Sequence, residues 1–327
     1  MKMEGSTPIV ITTVVPTYNH EKYIGECVRS IVRQRMRPGW HHQVVVGDDG
    51  SSDNTQKILD EIAVDHPQVS ITILKGDPAN RTGRFRHNGR VFGRENIREL
   101  MSYHGDFMAF CEGDDLWLED DKLIRQVEFL MSNDDYSICW SQAKLIDDEG
   151  NDLGQTEIAE ELRFEDLMYA FPVGHACCSA LWKSDRFDRD IFDSTATQKT
   201  SNDTIWLNLL LAGKGKVLNS VLVARRIHSG GSWSGEDTIL NEAGKLMLFN
   251  NHGNIFGDIR FPSKSLRAAL LEQAQYIKTV MIDEMSAEQL FEEWYKKFSN
   301  SSRKDRVHFW QKRFKNQIKK LLANFSK

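Results

Sequence analysis

Phe110-Cys111-Glu112-Gly113-Asp114-Asp115-Leu116-Trp117 gathers three carboxylates into four residues, directly after the apolar run Phe107-Met108-Ala109-Phe110. Adjacent like charges raise one another's pKa unless a cation or strong donors compensate. The cluster therefore predicts a hard divalent cation with oxygen ligands, Mg²⁺ or Mn²⁺. Asp106 to Phe110 reads as a short buried strand, which puts the acids at its carboxyl end, where ligands bind in open α/β sheets. The plainer alternative is an acidic turn in which Asp114 or Asp115 caps a helix over Asp120 to Met131.

A second acidic turn favours the first reading. Val44-Val45-Val46-Gly47-Asp48-Asp49-Gly50-Ser51-Ser52-Asp53 repeats the order of apolar strand, paired aspartates and small turn residues. The helical pattern Thr55 to Ala63 follows, with Ile58, Leu59 and Ile62 on one face. Two strand ends of one sheet can thus aim carboxylates into one crevice.

Outward from these turns, the first half alternates strand and helix in the manner of βαβ units. Ile9 to Val15, Gln43 to Val46 and Ser70 to Leu74 are apolar strands, and Glu21 to Gln34 is a helix with Ile24, Cys27, Val28 and Ile31 inward. Gly76 to Gly93 breaks the pattern with Arg81, Arg84, Arg86 and Arg90, and Arg94 just past its end, which predicts a mobile basic loop suited to phosphate. Ser137 to Lys144 and Val217 to Ile227 are further strands, with helices over Phe164 to Ala170 and Asp203 to Ala212. These elements predict one α/β domain over residues 1–250.

From 251 to 327 the chain reads as helical without strand patterns. Its last segment, Arg303 to Lys327, carries nine Lys or Arg against one Asp, with Val307, Trp310, Phe314, Ile318, Leu321 and Phe325 at helical spacing. That basic amphipathic helix either docks its apolar stripe on the protein or contacts an anionic membrane face.

The 327 residues can bury a full core, and 27% charged with 40% hydrophobic residues is ordinary for a globular protein. A net charge of -5 argues against a nucleic-acid partner. The five cysteines are odd in number and lack metal-finger spacing, so reduced thiols in a cytoplasmic setting are expected. Pro8 to Val15 is too short to span a bilayer, and no transmembrane helix is expected.

Pro16-Thr17-Tyr18-Asn19 after the first strand, Gly47-Asp48-Asp49-Gly50-Ser51-Ser52-Asp53-Asn54-Thr55 after the second and Glu112-Gly113-Asp114-Asp115-Leu116-Trp117 after a later one together resemble family 2 glycosyltransferases of the GT-A fold, in order and spacing as well as letters, over roughly Ile9 to Ser234. The resemblance implies a Rossmann-like mixed sheet and an inverting transfer of a hexosyl or N-acetylhexosaminyl group. The implied donor is a nucleotide-sugar such as a UDP-sugar, the implied cofactor a divalent metal (Mn²⁺ or Mg²⁺) on its diphosphate, and the implied acceptor a hydroxyl of a glycan or lipid-linked oligosaccharide.

Carried over residue by residue, Pro16, Tyr18, Asn19 and Asp49 fall where the family holds the nucleotide. Asp114 matches the contact to ribose or metal, and Asp115 the principal metal ligand. Glu112 stands where an aspartate is commoner. Asp203, in Thr200-Ser201-Asn202-Asp203, matches the acidic residue near the acceptor and becomes the candidate general base, with helix N-cap as its structural alternative. The family commonly has an acidic pair there, whereas this chain has Asn202-Asp203. In Arg225-Arg226-Ile227-His228-Ser229-Gly230-Gly231, which resembles the loop closing over the donor, His228 is expected on metal or diphosphate and Arg226, like Arg94, on phosphate. Trp206 and Trp233 are candidates to stack on a sugar face, with buried packing as the alternative. His175, Cys177 and Cys178 are read as lining without covalent chemistry. Rival readings are a sugar-nucleotide nucleotidyltransferase and a non-catalytic glycan-binding module on the same fold.

Overall fold

The computed structural model describes residues 8–76, 85–87, 90–92, 95–164, 166, 176–195 and 201–230. The helical region expected from 251 on, its basic last helix, and Arg94, His175 and Trp233 lie outside these residues, as do most of the helix expected over Phe164 to Ala170 and most of the basic loop. Of that loop, β4 (Phe85–His87) and β5 (Arg90–Phe92) pair as an antiparallel two-stranded ribbon.

The remaining strands form one mixed sheet. Its first block is parallel: β1 (Ile9–Thr17), β2 (Trp40–Asp48) and β3 (Ser70–Lys75) lie side by side, and β6 (Phe107–Phe110) flanks β1 on the other side. β1 reads Ile-Val-Ile-Thr-Thr-Val-Val-Pro-Thr, a β-branched run that packs on both faces of a covered sheet. Helices α1 (Ile24–Val32) and α2 (Thr55–Asp65) cross between these strands and pack together. Ile24, Cys27, Val28 and Ile31 of α1 are fully buried, as are Leu59 and Ile62 of α2, the spacing of one helical face. A short helix α3 (Glu95–Leu100) precedes β6.

The second block is built around β8 (Tyr136–Ile146) and β12 (Lys214–Arg226), which run parallel. β11 (Leu181–Lys183) runs antiparallel to both β6 and β8 and joins the two blocks. β9 (Asp152–Gln155) and β10 (Glu161–Leu162) extend this side. Two helices, α5 (Arg189–Thr195) and α6 (Ser201–Ala212), lie between β11 and β12 in the chain.

Directly after the acidic turn, β7 (Leu116–Trp117) pairs with β12, Leu116 against Ala224 and Trp117 against Val223. Helix α4 (Lys122–Ser132) begins only after Asp121, so neither Asp114 nor Asp115 caps it. The acidic turn is not a helix cap, which removes the plainer reading of its charge. Trp206 of α6 is 1% exposed and meets Phe110, Trp140 and Trp182 edge to face, with ring centroids 5.7, 5.8 and 5.9 Å away. Of the two readings of Trp206, the packing one is what the structure shows: it is core, holding α6 on the sheet.

Candidate active site

Because β1 lies between β6 and β2 and all three are parallel, their carboxyl ends open on one edge of the sheet. Consecutive carbonyls at the end of β1 hold both acidic turns: Pro16 O accepts Gly113 N–H at 3.0 Å and Thr17 O accepts Asp49 N–H at 2.9 Å. Gly113 permits the approach, since a Cβ there would stand 2.6 Å from Thr17 Oγ1 and 2.9 Å from His20 Nδ1. Tyr18, 37% exposed, follows on the same edge.

In the first turn the two aspartates divide. Asp48 is buried and its carboxylate accepts the backbone N–H and hydroxyl of Ser51, while Asp49 is half-buried at the edge. Asn19 adopts φ 52°, a left-handed conformation asparagine tolerates. Its N–H donates to Ser51 Oγ and its Oδ1 accepts Ser52 N–H, each at 2.8 Å. Asn19, expected on the nucleotide, thus stitches the end of β1 to the first turn through its amide oxygen.

The second turn points its acids in different directions. Asp115 is 4% exposed and accepts the backbone N–H of Arg226 at 2.8 Å. Burial, with Asp114 and Glu112 nearby, pushes its carboxyl well above the usual range. Asp114 Oδ2 lies 3.1 Å from His228 Nε2 and 3.9 Å from His20 Nε2. Burial opposes its charge, yet the His228 hydrogen bond and the two imidazoles hold it below the usual carboxylate range. Burial is also what depresses His20. His228 packs on the Tyr23 ring at 4.8 Å, and Tyr23 in turn donates its hydroxyl to Asp148.

Glu112 is half-buried on the other side. Its Oε1 accepts Asn202 Nδ2 at 2.8 Å, and the Cys177 thiol sits 3.3 and 3.4 Å from its two oxygens. Burial, then the charge of Asp114, lifts Glu112 to about 7, and burial beside Glu112 pushes the Cys177 thiol well above its usual value. Arg225 faces this side, within electrostatic reach of Glu112, Asp115 and Cys177.

Arg226, expected on phosphate, is engaged with protein. Its side chain is buried, and its guanidinium donates to Asp114 O, to Asp147 O and Asp148 O, and to Glu26 Oε2 at 2.7 Å. It clamps β12, the acidic turn and α1, and four of its five N–H groups are taken by protein. Glu26, His20, Cys177 and Asn202 were not singled out as site residues from the sequence. His20 left a signal there as the residue following Pro16-Thr17-Tyr18-Asn19, Cys177 as a lining residue and Asn202 as the neighbour of Asp203. Asp203 is the third residue of α6, whose first is Ser201, so it does not occupy the N-cap position; its side chain lies outside the described residues.

Two groups of donors bear on the implied metal. Asp114 Oδ2 and His228 Nε2, 3.1 Å apart, would offer a divalent metal a carboxylate oxygen and an imidazole nitrogen. Donor atoms of Glu112, Asp115 and Cys177 also lie within 4.8 Å of one another. A protonated thiol suits a hard dication poorly, and Asp115 already accepts a backbone N–H. Asp114 with His228 is the better fitted pair, whereas the sequence ranked Asp115 first.

Residues 12–186, more than half of the chain, match the family described as Glycosyl transferase family 2. An uncharacterised protein of Mycobacterium bovis is 29% identical over 135 residues, 41% of this chain and 35% of the relative; the match thus spans about a third of that relative's length. TuaG of Bacillus subtilis, assigned to teichuronic acid biosynthesis as a glycosyltransferase, is 23% identical over 205 residues, 62% of this chain and 73% of TuaG. Residues 1–349 of TarS from S. aureus, solved with UDP-GlcNAc, superpose with a TM-score of 0.55 at 16% identity, covering 88% of this chain and 78% of that one. The mixed sheet is the GT-A architecture. Among the described residues no helix is long and apolar enough to cross a membrane.

Proposed function

Since the chain belongs to glycosyl transferase family 2, we propose that it catalyses an inverting, metal-assisted transfer of a hexosyl or N-acetylhexosaminyl group from a nucleotide-sugar, a UDP-sugar by preference, to a hydroxyl of a glycan or lipid-linked acceptor. The observation that carries this reading is the bonding of both acidic turns to consecutive carbonyls at the end of β1, which puts Asp49 and Asp114 on one sheet edge. Asp49 accepts the imino N–H of the base, beside Pro16 and Tyr18. Asp114 and His228 hold the dication, which supplies charge neutralisation to the leaving diphosphate. The TarS structure with UDP-GlcNAc supports the donor class.

An inverting transfer is a single in-line displacement at the anomeric carbon, so the acceptor hydroxyl loses its proton on the face opposite the diphosphate. Asp203, in the first turn of α6, takes that proton. Its neighbour Asn202 touches Glu112, which brings this turn against the acidic turn.

The test is Mn²⁺-dependent release of nucleoside diphosphate by the full chain across UDP-, GDP- and dTDP-sugars. Release that ignores the metal, or is unaffected by Asp114→Ala, would overturn the reading.

A further inference from the structure

Glu112 and Asn202 are brought into contact by the fold. Asn202 Nδ2 donates to Glu112 Oε1 at 2.8 Å, across 90 positions of sequence. With the amide nitrogen facing the carboxylate, the amide oxygen is turned away. That oxygen, Asn202 Oδ1, is buried and has no hydrogen-bond donor among the described residues. A buried acceptor without a partner is destabilising, so the site favours a ligand that brings a donor. On the Glu112 side, the weak thiol donor of Cys177 also touches the carboxylate, and Arg225 lies within electrostatic reach of it.

From this contact we infer that Glu112 and Asn202 form one hydrogen-bonded unit that determines specificity by accepting hydrogen bonds from hydroxyls of the transferred sugar. The inference rests on the transferase reading above and adds to it which side chains select the sugar. The longer glutamate reaches the amide, and an acid at 202 would set a second carboxylate against Glu112 at hydrogen-bond distance, where like charges repel strongly. The same bond ties the acidic turn that ends β6 to the turn of α6 that carries Asp203, so sugar selection and the acceptor side share one contact.

The experiment compares the full-length protein with N202A, N202D, E112D and the E112D/N202D double variant. Turnover is measured with the best UDP-sugar and with analogues lacking each sugar hydroxyl in turn, and UDP binding by calorimetry. The native protein should lose roughly tenfold or more in kcat/KM for one particular missing hydroxyl. N202A should no longer discriminate at that hydroxyl while binding UDP as before. N202D should be the worst single variant, and the double variant should recover part of its loss, since the shorter aspartate draws back from the second acid. Equal loss by N202A on every donor, or additive effects of E112D and N202D, would overturn the inference and leave the transferase reading standing. Absence of donor-dependent UDP release by the native protein would instead overturn that reading, and the inference with it.

Discussion

His228 Nε2 lies 3.1 Å from Asp114 Oδ2, joining the end of β12 to the turn after β6 across 114 positions of sequence. Neither residue is near the other until β7 pairs with β12, Leu116 against Ala224. The pairing puts the acid and the imidazole at the same end of the same strands.

Removing either partner should weaken the metal requirement's hold on turnover. His228→Ala and Asp114→Asn are each expected to raise the Mn²⁺ concentration for half-maximal activity roughly tenfold or more, since each deletes a ligand from a small set. Asp115→Ala should act differently, lowering thermal stability by about 1–3 kcal/mol through the orphaned N–H of Arg226. A metal titration beside a thermal melt for each variant separates the two; identical behaviour of Asp114 and Asp115 variants would contradict the division.

Asp203→Asn should leave UDP-sugar binding within about twofold while reducing transfer by roughly 10² to 10⁴. Calorimetry with donor and product formation with acceptor supply the two readouts. Loss of donor binding would take Asp203 out of the base role.

Gly113→Ala puts a methyl group where Thr17 Oγ1 would be 2.6 Å away. The end of β1 cannot yield without disturbing the hydrogen bonds that fix both acidic turns. An overpacking cost of about 1–3 kcal/mol is expected, with nucleotide affinity falling alongside it. A variant as stable as the native protein would show that the approach is looser than the geometry states.

Lys122 is fully buried on α4, its Nζ bonded to Gln126 Oε1 at 2.8 Å and lying 4.0 Å from the Trp117 ring centroid. Burial depresses its pKa from 10.5 to about 7. The unfolded chain therefore binds more protons than the folded one between about pH 7 and 10.5, and native stability rises with pH across that window. Below pH 7 both states are protonated and the full penalty of the buried charge remains. Lys122→Met removes the penalty and should gain about 2 kcal/mol more, relative to the native protein, at pH 6 than at pH 9. Denaturant midpoints at the two pH values decide it, and a pH-independent difference would show that Lys122 does not titrate in the fold.

Much of the architecture was legible from short-range signals. The β-branched runs at Ile9–Thr17 and Val44–Val46, the helical face Ile24, Cys27, Val28 and Ile31, and the two acidic turns all appear where the sequence placed them. Period and turn chemistry are properties of neighbouring residues, so they survive without knowledge of the fold. What short-range signals do not carry is the protein partners of individual polar side chains: Arg226 reads as a phosphate partner and Asn19 as a nucleotide contact, and the structure also engages both with protein.

The sequence by itself determined that strands end in acid, that those ends alternate with helices, and that a basic and histidine-bearing segment follows the last strand. It could not determine which acid meets which partner. Successive side chains on extended backbone point to opposite sides, so Asp114 and Asp115, like Arg225 and Arg226, separate according to how β7 and β12 pair. That pairing is between segments more than a hundred residues apart, and only the tertiary structure sets it. It gave Asp114 to His228, Asp115 to the backbone of Arg226, and left Glu112 facing Asn202.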